Sequence, residues 1–82
     1  MEISSHGQIE MVRINRDQNI MRFYYVVTSV DLFGTQGIIR AWGRIGRPGR
    51  TRFEPHTDAG SAMTEINTSR RRKSSRGYID RG

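Results

Sequence analysis

The alternation of apolar and polar residues predicts four β-strands in the first two thirds of the chain. The predicted strands cover residues 9–15, 21–30, 38–45 and 50–54. The strand at 21–30 is rich in aromatic and β-branched residues and is apolar on both faces, so we expect it to lie in the centre of a sheet. Polar or glycine-rich segments at 16–19, 34–37 and 46–49 predict the turns, and Gly49 is expected to adopt a positive φ.

One amphipathic helix is predicted after Pro55, which ends the fourth strand. Thr57 or Asp58 is suited to the N-cap, and the helix should run for about 13–16 residues before the break at Gly77. Its apolar stripe consists of Ala59, Ala62, Met63 and Ile66. Residues 78–79 are assigned to a further edge strand. The predicted fold class is α+β: a small antiparallel β-sheet of four to five strands with one α-helix packed on one face.

Length and charge restrict the chain to a small, basic domain. The 82 residues suffice for one domain, which we place at residues 9–80 after a flexible N-terminal segment at residues 1–8. Fourteen Lys and Arg residues against eight Asp and Glu give a formal net charge of +6, and all but one of these cations are arginines. Arginine favours planar, bidentate contacts with phosphate, although a merely solvated basic surface would have the same composition.

The composition offers little for catalysis or for metal binding. Cysteine is absent, His6 and His56 stand alone, and the carboxylates are scattered without paired spacing. We therefore expect no enzymatic activity, no cofactor and no metal. The N-terminus lacks the pattern of a secretory signal, and no apolar stretch approaches the length of a membrane span. These features, with the lack of disulfides, favour the cytoplasm.

The segment at residues 40–46 contains the only tryptophan of the chain, between two arginines at alternate positions. In a strand, Arg40, Trp42 and Arg44 share one face with Ile38. Ile39, Ala41, Gly43 and Ile45 share the other face, which is small and apolar, so we expect that face to pack on the core. An indole between two exposed guanidinium groups suits a sugar or base beside a phosphate.

These residues also carry a family resemblance. Trp42-Gly43-Arg44, followed by Ile45-Gly46, resembles the signature of the WGR domain, which occurs in poly(ADP-ribose) polymerases and in many bacterial proteins. The supporting segments are residues 19–24 and 32–34, Phe53, Lys73 and residues 76–78, so the resemblance covers about residues 9–80. It implies a small antiparallel sheet with one helix, and a sheet that contacts DNA near a strand break. The chain departs from those polymerases in one respect: neither a catalytic ADP-ribosyltransferase region nor a zinc finger is expected to fit in its 82 residues.

The candidate nucleic-acid contacts lie around the Trp42 strand and near the end of the helix. Trp42 is expected to pack on a terminal sugar, as the resemblance implies, although a core role is the alternative. Lys73 and Arg76 are candidates for a second phosphate contact, although such runs are commonly solvated helix ends. The full set comprises Arg40, Trp42, Arg44, Arg47, Arg50, Arg52, Lys73 and Arg76.

We therefore expect a stand-alone nucleic-acid-binding module that recognises DNA ends or nicks, as a monomer or weak homodimer and without membrane association. The alternative is a protein-interaction module that regulates a partner enzyme through Trp42 and Arg44. Weak nonspecific association caused by the high net charge is a third reading. The sequence does not distinguish DNA from RNA, nor does it identify a pathway.

Overall fold

The computed structural model describes residues 7–81, which form one five-stranded antiparallel sheet covered on one face by a single helix. The elements are β1 (Gln8–Asn15), β2 (Ile20–Val30), β3 (Gln36–Arg44), β4 (Arg50–Pro55), α1 (Ala59–Ser74) and β5 (Ile79–Asp80). The strand order is β4-β3-β2-β1-β5, so the strand predicted to be central is central. The predicted α+β class is confirmed. The predicted flexible segment, residues 1–8, lies almost entirely outside the described residues, and Gln8 already belongs to β1.

Short hydrogen-bonded turns fix the register of the sheet. A turn of 3-10 helix, Arg16–Gln18, joins β1 to β2, and the side chain of Asn15 accepts a hydrogen bond of 3.3 Å from the Gln18 amide. Asn19 closes this turn at φ 56°, in the left-handed region that asparagine tolerates. At the other end of the sheet, the Asp31 carboxylate accepts hydrogen bonds from the amides of Phe33 and Thr35, at 2.8 and 2.9 Å.

The turn between β3 and β4 requires glycine at position 49. Gly49 has φ 74°, as predicted, and a Cβ at this position would lie 2.4 Å from the carbonyl oxygen of Trp42. Gly46 also has a positive φ, 91°, but its Cβ would meet nothing within 4 Å. Backbone strain and a steric clash therefore coincide at Gly49, whereas only strain applies at Gly46.

The Gly49→Val variant is expected to lose about 2–3 kcal/mol of unfolding free energy, and more than Gly46→Val. Urea unfolding of both variants and the wild type measures this difference. Equal losses in the two variants would mean that the clash with the Trp42 carbonyl is relieved at no cost.

Helix α1 packs on the sheet through a short row of buried residues. Asp58, one of the two predicted N-caps, accepts a hydrogen bond of 2.7 Å from the Ser61 amide. Ala62, Ile66 and Ser69 are buried along the helix. The core cluster consists of Ile9, Met11, Tyr24, Val26, Ile38, Ala62 and Ile66. Within residues 7–81, no helix has the length and apolarity needed to cross a membrane.

The prediction of which face of β3 packs on the core is wrong. Ile38 is fully buried under α1, so Arg40 and Trp42 lie on the helix-covered face with it. Residues 39, 41 and 43 lie on the opposite face, which no described element covers. Arg40 can lie on the helix-covered face because acidic side chains distant in sequence neutralise its charge.

Candidate nucleic-acid interface

Three arginines stand side by side on the three middle strands, near one end of the sheet and on the helix-covered face. Arg13 of β1 is paired directly with Arg22 of β2, which is paired with Arg44 of β3. Directly paired residues share a face and place their Cβ atoms about 4.5–5.5 Å apart, where like charges destabilise a sheet. We call these residues the arginine row. A row of adjacent positive charges is the arrangement that a run of phosphates would neutralise.

Trp42 adjoins the arginine row on the same face. It lies two residues before Arg44 in β3, between Tyr24 of β2 and Arg50 of β4. Its ring is half-buried and packs against the core cluster. The expectation that Trp42 lies on the face away from the core is therefore wrong, and the ring has a structural role. Because it is only half-buried, part of its surface remains available to a ligand beside Arg44 and Arg50.

Arg44 is held in place by the turn that precedes β2. Its guanidinium donates hydrogen bonds to the backbone oxygen and the side-chain oxygen of Asn19, at 3.2 and 3.0 Å. Both acceptors are uncharged, so the positive charge of Arg44 is oriented without being neutralised. The left-handed conformation of Asn19 thus orients a cation of the candidate interface.

The end of α1 adds Lys73 to this group. Its Nζ lies 4.6 Å from the ring centroid of Tyr24 and 5.1 Å from that of Tyr78, within the range of cation–π contacts. Burial lowers the pKa of Lys73, and the charges of Arg76, Arg40, Arg72 and Arg22 lower it further. The helix end and the arginine row therefore share one positive electrostatic field, into which an anion would be drawn.

No carboxylate neutralises this group within residues 7–81. The ion pairs of that range involve only Arg40, Arg52 and Arg70 among the cations. Lys and Arg are absent from residues 23–39 and 53–69, which contain Asp31, Glu54, Asp58 and Glu65. Strand order places the turns at 31–35 and the start of α1 at the opposite end of the sheet from the arginine row. Positive charge is therefore concentrated at one end of the molecule.

Arg40, in contrast, serves the fold. Its side chain is only 11% exposed, and all five of its N–H groups donate hydrogen bonds. The acceptors are both oxygens of Glu54, one oxygen of Glu65, the Ser69 hydroxyl at 3.0 Å and the Tyr24 hydroxyl. No N–H group remains for a phosphate, so Arg40 is not part of the candidate interface.

The other predicted contact residues are all exposed, but they differ in whether an acidic side chain pairs with them. Arg50, Arg76 and the turn residue Arg47 are exposed, and Arg50 is paired with Trp42 across the strands. Arg52 is exposed but forms an ion pair with Glu54. The structure therefore groups Trp42, Arg44, Arg50 and Lys73, and it adds Arg13 and Arg22.

Sequence reasoning missed Arg13 and Arg22, although a signal for them was present. The two arginines are equidistant from the centre of the turn at residues 16–19, so a regular hairpin pairs them directly. Arg22 and Arg44 are related in the same way through the next hairpin register. The registers of the two hairpins, rather than a motif, identify the row.

The family assignment agrees with this geometry. The WGR domain family model matches residues 7–82, nearly the whole chain. The chain belongs to the WGR domain family. The Trp42-Gly43-Arg44 signature ends β3 beside the arginine row, and the predicted resemblance is confirmed. The WGR domain is a nucleic-acid-binding module rather than a catalytic domain. Searches of the curated proteins and of the solved structures returned no significant match.

Proposed function

We propose that this WGR domain binds DNA at strand ends or nicks through the arginine row and Trp42. The observation that carries the proposal is the direct pairing of Arg13, Arg22 and Arg44 next to a half-buried indole. None of the three has a carboxylate partner in the part of the chain that the structure describes. The row would contact consecutive phosphates of one strand. Lys73 and Arg50 would add positive charge on either side of Trp42.

Trp42 favours an end or a nick over continuous duplex. Base faces and terminal sugars are covered by their neighbours within an intact duplex and become accessible where a strand stops. An aromatic ring that packs on such a group contributes about 1–3 kcal/mol per contact. Phosphate contacts alone would bind intact duplex equally well, because they are independent of sequence and of strand ends.

The test is a titration of nicked, blunt-ended and circular intact duplexes at several salt concentrations. Arg22→Ala is expected to weaken binding to all three and to reduce the slope of log K against log salt by about 0.9, the value for one phosphate contact on duplex DNA. Arg70→Ala is the matched control: it removes the same net charge, but Arg70 is ion-paired with Asp80, whereas Arg22 has no ion pair within residues 7–81. It should leave the slope unchanged.

Trp42→Ala should weaken binding to nicked and blunt duplexes by about 1–3 kcal/mol and leave binding to the circle unchanged, provided that the variant is measured below its melting temperature. Equal affinity of the wild type for all three duplexes would contradict end recognition. Equal salt slopes for Arg22→Ala and Arg70→Ala would contradict the arginine row. If Trp42→Ala keeps the preference for ends and Arg22→Ala keeps the salt slope, the protein-interaction alternative remains, in which Trp42 and Arg44 contact a regulated enzyme.

A further inference from the structure

The face of the sheet opposite α1 is apolar, and no described helix or strand covers it. Because paired residues share a face, the strand registers assign its members. We call it the open face. Its central residues are half-buried: Phe23, Tyr25, Val27, Ile39, Ala41 and Phe53. On its β1–β5 side lie the exposed Ile14 and Ile79, next to the buried Val12. A continuous apolar surface of this kind on a small domain marks an interaction site.

The aromatic rings of the open face lie over glycines. The Phe53 ring is the nearest side chain to the missing Cβ of Gly37, and the Phe23 ring has the same relation to Gly43 and Gly49. Rings in these positions fill the space left by absent side chains and flatten the surface. A flat apolar sheet face is suited to packing against another sheet face, about 10 Å away.

The open face is also nearly free of charge. Arg13, Arg22, Arg40, Arg44, Arg50 and Arg52 all lie on the helix-covered face. On the open face, the five strands carry only one charged residue, Glu10, and Arg81 follows directly after β5. Such a surface does not suit nucleic acid. Glu10 and Arg81 are not ion-paired with each other within residues 7–81, and both are exposed.

Glu10 and Arg81 lie at one groove. The Arg81 amide donates a hydrogen bond of 2.8 Å to the Glu10 carbonyl oxygen, so the two residues are adjacent. Both residues line an open groove of about 410 Å³ together with Phe23, Tyr25 and Ala41. The groove thus presents aromatic surface with one negative and one positive charge at its edge. A patch with one charge of each sign is complementary to itself under a two-fold rotation.

We propose that the open face binds a second copy of this chain through its β1–β5 side, where Glu10 and Arg81 line the groove. Arg81 follows β5 and lies beside Glu10 of β1, so the two-fold axis that lets Glu10 of each copy meet Arg81 of the other runs along the strands between β1 and β5. Ile79, which is 65% exposed and directly paired with Val12 on this face, then packs on Val12 of the other copy. This side is only part of the sheet face, so the contact is smaller than the roughly 800 Å² per partner of a standard interface. A contact of this size gives a weak, concentration-dependent dimer.

The electrostatics of the whole molecule favour this orientation. Each copy carries a formal charge of +6, and face-to-face contact through the open faces directs the two arginine rows away from each other. Repulsion between the copies is therefore smaller than in any contact that involves the helix-covered face. The dimer would present one arginine row on each of its two opposite sides. Its formation does not depend on the function proposed above.

Sedimentation equilibrium without DNA tests the proposal. The wild type is expected to shift from the 9.5 kDa mass of the monomer to twice that value as the concentration rises. A monomer at every accessible concentration would overturn the proposal. A larger, open-ended assembly would also overturn it, because two-fold contacts close after two copies.

Charge exchange at Glu10 and Arg81 identifies the interface. Glu10→Arg and Arg81→Glu should each raise the dimer dissociation constant at least about tenfold, because like charges then face each other. The double variant should return to within about threefold of the wild type. Arg81→Glu is the stricter of the two single variants. It lowers the net positive charge of each copy, so a change in overall repulsion alone would strengthen the dimer, whereas the loss of the Glu10–Arg81 contact weakens it.

Phe33→Ser is the matched control for apolar contacts. Phe33 is 91% exposed in the turn between β2 and β3, away from the groove. This variant should dimerise as the wild type does, and each variant is first checked by thermal melting. Loss of the dimer in Phe33→Ser, or single charge variants that behave as the wild type, would place the contact elsewhere and overturn the proposal.

Discussion

The Ile66→Asp variant is expected to be unfolded at neutral pH and 25 °C. Ile66 is fully buried in α1 and belongs to the core cluster that joins the helix to the sheet. The substitution removes an apolar side chain worth about 2–5 kcal/mol and places a carboxylate where no cation lies within the core cluster. A domain of this size has a total stability of about 4–12 kcal/mol, so the combined loss is comparable with the whole.

Circular dichroism on heating and in urea measures the effect. Asn67→Asp provides the matched control, because the same side chain is introduced one residue further along α1, at an exposed position. The control should melt within a few degrees of the wild type. A cooperative melt of Ile66→Asp near the wild-type temperature would show that α1 does not pack on the sheet through this residue.

The sequence was sufficient to predict the elements of this fold, because its local signals agree with one another. Each of the four longer strands begins and ends within about two residues of its predicted bounds. The alternation of apolar and polar residues stops at the turns, where residues such as Asn19 and Gly49 adopt the positive φ that the turn requires. Asp58 at the N-cap and Ile66 in the apolar stripe likewise fixed the position and orientation of α1.

The sequence was insufficient to assign the faces of β3. Alternation separates Arg40 and Trp42 from Ile39 and Ala41, but it does not say which set faces the helix. That choice depends on Glu54 and Glu65, which are 14 and 25 residues away from Arg40 in the chain and become its partners only after folding. The arginine row was missed for a related reason: its members are isolated in sequence and adjacent only through the strand register.

Arg40→Leu is expected to lower the unfolding free energy by about 3 kcal/mol at pH 7. Removal of one partner of a buried ion pair commonly costs about 3–5 kcal/mol, because the remaining charge is left unpaired. The lower end applies here, because the side chains of Glu54 and Glu65 keep 19% and 29% of their exposure and stay partly hydrated. The Tyr24 and Ser69 hydroxyls also lose a donor.

Arg52→Leu is the matched control, because Arg52 pairs with the same carboxylate, Glu54, from a side chain that is 64% exposed. Solvent screens such a pair, so the variant should lose less than about 1 kcal/mol. Similar losses in the two variants would contradict the assignment of Arg40 as the buried partner. Urea unfolding of both proteins at pH 7 makes the comparison.

The dependence on pH separates lost charge pairing from lost packing in Arg40→Leu. The hydrogen bond from Arg40 is the main cause that lowers the pKa of Glu54 from 4.5 to about 2, against the opposing effect of burial. A lowered pKa contributes stability that is present above pH 4.5 and is lost as the pH falls through about 2.

Without Arg40, Glu54 takes up its proton at a higher pH, and the unpaired charge disappears. The stability difference between wild type and variant should therefore be largest at neutral pH and narrow steadily between pH 4.5 and 2. A difference that stays constant over this interval would mean that the side-chain volume of Arg40, rather than its charge, stabilises the fold.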